Sequence, residues 1–222
     1  GRPEIVVEQP ASTDLPNGGS RFFGSINVGS SASLLFTVNS TGTADLTGLQ
    51  VTIDGANAGE FSIIDTPAES VSGPNGSTTF SVRFSPTTPG SKTASLHISS
   101  NDSDENPFDI HLTGTGVAVP EIVVEQPTGT NVADEGTRDF GSVVVGANTN
   151  LAFTIKNTGY ADLSGLTVTK DGIHASDFTV TTIPVGPVAG PGGSTTFVVK
   201  FAPSAAGARI AAIHVASNDA DE

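Results

Sequence analysis

The sequence contains no cysteine, no methionine and no tryptophan, and its aromatic side chains are twelve phenylalanines and one tyrosine. Without cysteine there is no disulfide and no thiolate metal site, so stability has to come from packed cores. A chain that opens on Gly1-Arg2-Pro3 with no Met at position 1 reads as an excised fragment, with any leader or anchor outside it. Basic residues are scarce too: nine Lys and Arg stand against 23 Asp and Glu, a net charge of −14. The field of such a chain repels phosphate backbones and anionic lipid surfaces, so nucleic acid is not expected as a partner. No apolar run approaches the ~18 residues of a spanning helix, and no membrane insertion is expected of this stretch. The scarcity of Trp and Tyr also thins out the aromatic platforms on which many binding sites are built.

What the sequence does have is a long repeat. Pro3-Glu4-Ile5-Val6-Val7-Glu8-Gln9-Pro10 returns unchanged as Pro120-Glu121-Ile122-Val123-Val124-Glu125-Gln126-Pro127, a displacement of 117 residues that holds without a gap to the end. Phe23-Gly24-Ser25 thus meets Phe140-Gly141-Ser142, and Gly76-Ser77-Thr78-Thr79-Phe80 meets Gly193-Ser194-Thr195-Thr196-Phe197. So long a period exceeds the ~20–50 residues of solenoid repeats and marks whole domains in tandem. The expected domains are 1–116 and 117–222. The short, partly apolar stretch from Gly114 to Val119 forms a restricted junction between them.

Within each copy apolar residues alternate. Leu34, Phe36 and Val38, then Leu49, Val51 and Ile53, then Phe80, Val82 and Phe84 follow the two-residue period of strands with one buried face. Turn signals separate them, such as Asp54-Gly55, Gly73-Pro74-Asn75-Gly76 and the stretch from Asn101 to Pro107. Only Asn57 to Glu60 is suited to a turn of helix. The expected fold is all-β, two tandem immunoglobulin-like antiparallel β-sandwich domains. Phe23, Phe36, Phe61, Phe80 and Phe84 centre the first core, and Phe140, Phe153, Phe178, Phe197 and Phe201 the second. One departure stands out: unit 1 runs on past Glu105 into Phe108-Asp109-Ile110-His111-Leu112, whereas unit 2 ends at Glu222, the partner of Glu105. Repeat 2 therefore lacks the counterpart of the last strand of repeat 1. It is expected to expose an open sheet edge that invites strand donation by another chain.

The phrases Phe140-Gly141-Ser142-Val143-Val144-Val145-Gly146, Phe153-Thr154-Ile155-Lys156-Asn157-Thr158-Gly159 and Ser217-Asn218-Asp219-Ala220-Asp221-Glu222 resemble the bacterial choice-of-anchor D repeat. They are also similar to Hydin-like (ASH) immunoglobulin-like domains. The resemblance implies large, secreted or surface-anchored bacterial proteins in which such modules stand in arrays, so that neighbouring repeats are the first partners. It carries no catalytic residues. Related domains in ciliary and centrosomal proteins imply an intracellular scaffold as the other setting.

Catalytic signatures are missing: there is no G-x-S-x-G, no GxxxxGK[ST], no GxGxxG and no HExxH. His97 and His214 are repeat equivalents between apolar residues and should face solvent, with His111 a candidate cross-strand neighbour of His97. His174 stands where unit 1 has Asn57, a mismatch that speaks against a function for it. The acidic turn Asn101-Asp102-Ser103-Asp104-Glu105-Asn106 is richer. Asp102, Asp104 and Asn106 match the opening half of a calcium loop, in which hard cations take clustered oxygen ligands. The match then fails at Pro107 and Thr113, and turn closure by Asn and Asp side chains is the plainer use of the same residues. No cofactor is expected, with calcium the one candidate ion. The whole points to a non-enzymatic spacer or stalk repeat, extracellular or at a bacterial cell surface. A glycan- or protein-binding adhesion module, calcium-dependent or not, is the alternative.

Overall fold

The computed structural model describes residues 1–220 and 222, and it forms two compact units, Gly1–Val117 and Ala118–Glu222. The strands of unit 1 are β1 (Ile5–Glu8), β2 (Asp14–Leu15), β3 (Gly19–Asn27), β4 (Ala32–Ser40), β5 (Leu46–Thr47), β6 (Gln50–Asp54), β7 (Phe61–Asp65), β8 (Ser70–Val71), β9 (Gly76–Phe84), β10 (Gly90–Ser99) and β11 (Phe108–Val117). A single 3-10 turn, Ala58–Glu60, fills the stretch suited to helix. One sheet runs β2-β1-β4-β9-β7 and the other β3-β11-β10-β6. The core between them draws Ile5, Phe36, Phe80, Val82 and Phe84 from the first sheet and Phe23, Leu96, Ile98, Ile110 and Leu112 from the second. Alternation decides which residues these are: along β4 the burial switches residue by residue, with Phe36, Val38 and Ser40 inward. Phe36 stacks on Phe80 at 5.1 Å between centroids, and Phe61 packs on Phe84 at 4.8 Å with Phe23 edge-on at 5.4 Å.

The chain is an immunoglobulin-like β-sandwich in each half, but one pairing is not antiparallel. β11 runs parallel to β3, with Ile110 opposite Gly19 and Val117 opposite Asn27. That places β11 inside its sheet, between β3 and β10, and not at an edge. Gly114 lies where β11 passes over the core. A Cβ there would stand 2.5 Å from the Phe84 ring, so no larger residue fits at that step of the strand.

Unit 2 repeats the first sheet: β12 (Ile122–Glu125), β13 (Asn131–Val132), β14 (Thr149–Asn157), β16 (Phe178–Thr182) and β17 (Ser194–Phe201) pair in the order β13-β12-β14-β17-β16. The second sheet is reduced to β15 (Thr167–Asp171) with β18 (Ala212–Ala216). The reduction follows from the missing strand. In unit 1, β3 pairs only with β11, and residues 90–94 of β10 also have β11 alone as partner. Their counterparts, 136–144 and 207–211, consequently form no strand. β18 is thus left with an open edge, a gap where β11 stands beside β10 in unit 1. The core registers it: nineteen hydrophobic residues are buried in unit 1 against eight in unit 2. Phe140, Ile213 and Val215 are only partly buried, where their counterparts Phe23, Leu96 and Ile98 are at most 5% exposed. Phe153, Phe178, Phe197 and Phe201 remain buried as expected. Among the described residues, no helix is long and apolar enough to cross a membrane.

Candidate functional site

The loop between β10 and β11 carries the acidic turn, and the structure distributes its residues differently from their spacing. Asp102 is 1% exposed, and its Oδ2 accepts the Ile5 N–H at 2.9 Å, which pins the loop to the start of β1. Its own N–H donates to Ser100 Oγ at 3.1 Å. Asp104 forms an ion pair with Arg2 and lies against the Asp102 carboxyl. That guanidinium holds the Asp104 carboxyl below the usual carboxylate range. Asn106 turns its Oδ1 back to accept the Ser100 N–H at 3.2 Å. Of the three residues singled out by sequence, Asp102 and Asp104 thus stay together while Asn106 serves the turn. Asp102 is joined also by Glu105 and by Glu4, one oxygen of each lying within 4.8 Å of the other two. Burial and the negative charges of Asp102, Glu4 and Asp104 push the Glu105 carboxyl above its ordinary pKa. Glu4 is 98 positions from Asp102, and only the retention of Glu4, Asp102 and Glu105 as Glu121, Asp219 and Glu222 in the second copy could have flagged it. In unit 2 the anchor is the same, Asp219 Oδ2 accepting the Ile122 N–H at 2.8 Å. Asp221, the counterpart of Asp104, lies outside the described residues.

A second polar cluster supports the 3-10 turn. Lys92 Nζ stands 3.0 Å from Glu60 Oε1, both side chains being largely buried, and Thr87 donates its N–H and hydroxyl to Glu60 at 3.3 Å. In unit 2 the same positions hold Arg209 and Asp177, with Nε 3.4 Å from Oδ2. A hydrogen bond from Ser204, the counterpart of Thr87, keeps the Asp177 carboxyl below its usual range. The longer cation thus meets the shorter anion, and the pair is kept with its two halves resized.

His97 and His174 sit in structural roles. β10 and β11 are in register with His97 opposite Asp109, so the partner of His97 is that aspartate, while His111 faces Ser95. His97 Nδ1 is 2.7 Å from Asp109 Oδ1, and Nε2 is 3.2 Å from Asp54 Oδ1. The two carboxylates raise the His97 pKa, Asp109 most. A raised folded-state value means that the stabilising contribution is full below about pH 6.5, the unfolded value, and is lost as pH rises through the folded one. Unit 1 is accordingly expected to melt lower as pH is raised across that window. The effect is at most about 1 kcal/mol because the carboxylates are solvent-screened. His97→Gln should flatten the profile, and a histidine NMR titration should put the His97 midpoint above 6.5; a midpoint at or below that value would refute the assignment. His174, unlike Asn57 in chemistry, does the same work: its Nδ1 accepts the Ile210 N–H at 3.1 Å, as Asn57 Oδ1 accepts the Thr93 N–H at 3.0 Å.

Residues 19–117 match the family model described as Cep192 domain 4, and residues 133–222 match that of the HYDIN/CFA65/VesB-like Ig-like domain. No curated protein matches the chain. Among solved structures, the ASH/PapD-like domain of human CEP192 is 12% identical at a TM-score of 0.36, over 51% of this chain and 84% of that one. A protein of unknown function from Porphyromonas gingivalis W83 is 20% identical at a TM-score of 0.33, over 91% and 84%. The secreted serine protease VesC from Vibrio cholerae is 12% identical at 0.36, and this chain spans 49% of its length and 89% of its own. Each unit is therefore an immunoglobulin-like module, the second similar to the Hydin-like domains and the first to a Cep192 domain.

Proposed function

We propose that the chain is a non-catalytic spacer, two links of an array in a secreted or surface-anchored bacterial protein of the choice-of-anchor D kind. The observation that carries this is the depth of the duplication. Not only the strands but the supporting detail recurs at the 117-residue displacement: the Phe36–Phe80 stack as Phe153–Phe197, the Lys92–Glu60 pair as Arg209–Asp177, the Asp102 anchor as Asp219. A spacer needs such uniform, separately stable links, and the strong acidic balance keeps them soluble and apart. Small-angle X-ray scattering on this chain and on a four-unit tandem of the same sequence tests the proposal. A spacer doubles its maximum dimension when its units double; growth by only about the cube root of the mass, as in a compact body, overturns it.

A further inference from the structure

We infer that Glu4, Asp102 and Glu105 form a binding site for calcium. Three observations converge on it. The first is the donor set: one oxygen from each of three carboxylates, all within 4.8 Å of one another. Calcium is ligated at 2.3–2.6 Å, so ligands on opposite sides of one ion stand about 4.6–5.2 Å apart, and the three groups reach a common ion with little movement. Asp102 offers Oδ1, Glu4 and Glu105 offer up to two oxygens each, and water completes the six to eight ligands the ion takes.

The second observation is that Asp102 is held in place but not satisfied. It is 1% exposed, Oδ2 takes the Ile5 N–H, and Oδ1 is buried without a hydrogen-bond partner. Buried polar atoms in native proteins are paired as a rule, so an orphaned carboxylate oxygen beside two further carboxylates is a ready ligand for a cation. Arg2 pairs with Asp104, and its charge acts on Glu4 and Asp102 as well. The third is that the second unit keeps these residues as Glu121, Asp219 and Glu222 and anchors Asp219 to Ile122 in the same way, although among the described residues only the unit 1 carboxylates gather. Turn closure alone requires Asp102 and Asn106; it gives no reason for Glu4 to accompany them, from the far end of the unit's sequence.

The site does not depend on the spacer reading and would serve an adhesion module equally. The test is calorimetric titration of the 222-residue protein with calcium chloride in chelator-treated buffer, together with thermal melts. Saturable binding with a dissociation constant of about 10⁻⁴–10⁻³ M, the range of extracellular modules, and an upward shift of the unit 1 transition are expected. The double variant Glu4→Gln, Glu105→Gln keeps the Asp102 anchor, so unit 1 folds, yet it should lose that shift. Asp65→Asn with Glu69→Gln removes the same charge from exposed positions of unit 1 and should keep it. No saturable heat up to about 10 mM calcium, above the weakest of those modules, overturns the proposal. So does an undiminished shift in the Glu4, Glu105 variant, or an equal loss in the control.

Discussion

A copy of residues 106–117 fused directly after Glu222 is expected to raise the melting temperature of unit 2 while leaving unit 1 unchanged. The unfused chain should show two calorimetric transitions, with unit 2 the lower, because its core buries eight hydrophobic residues against nineteen. The fusion point matters: Glu222 is the counterpart of Glu105, so the added segment starts in the register that leads into β11 in unit 1. There Phe108, Ile110 and Leu112 are at most 2% exposed, and burying each such side chain contributes about 1.5–3 kcal/mol before the cost of ordering the strand. Even a net gain of about 2 kcal/mol moves the midpoint of so small a domain by roughly 8–16 °C. Gly114→Val in the fused copy is the internal control. Its side chain would meet Phe201 as one at Gly114 meets Phe84, where a Cβ stands 2.5 Å from the ring, and most of the gain should vanish. A lower transition that stays in place on fusion would show that the gap does not accept the strand.

Phe80→Ala is expected to destabilise unit 1 by about 3–5 kcal/mol. Phe80 is fully buried and stacked nearly parallel to Phe36, with an angle of 7° between the rings, so truncation leaves a cavity and strips one face of its partner. The same cut in unit 2, Phe197→Ala, removes a ring stacked on Phe153 at 4.9 Å and 1% exposed. Since unit 2 starts from a smaller core, the same cost should leave it largely unfolded at 25 °C while unit 1 remains native. Urea titrations read both: a lowered midpoint with unchanged slope for Phe80→Ala, and a missing first transition for Phe197→Ala. A cost below about 1 kcal/mol at Phe80 would mean that the stack is not central to the core.

Much of this was legible in the sequence because it is local. Period-two alternation marks Phe36, Val38, Phe80, Val82 and Phe84 as inward, and all are buried. The short 3-10 turn fell where the stretch from Asn57 to Glu60 allowed it. What escaped depends on register and on distant pairing. The parallel contact of β3 with β11 joins Phe22 to Thr113 across some ninety positions, and nothing in either segment announces its partner. His97 finds Asp109 and not His111 because the loop length sets β10 and β11 two residues away from the pairing that alternation alone suggests. The acidic group has the same origin: spacing picks out Asp102, Asp104 and Asn106, but the loop's anchor on Ile5 brings in Glu4.

The resized ion pairs bear on how a duplicated chain avoids tangling with itself. Neighbouring domains of similar sequence are prone to misassemble with one another while folding. Were the segment bearing Arg209 to lodge in unit 1, the long guanidinium arm would confront the long Glu60. In the reciprocal error the compact ammonium of Lys92 would be left reaching for the short Asp177. Neither mismatch arises in the correct partners, which close at 3.0 and 3.4 Å. An exchange of equivalent strands would therefore cost each unit an ion pair whose two halves are matched in length.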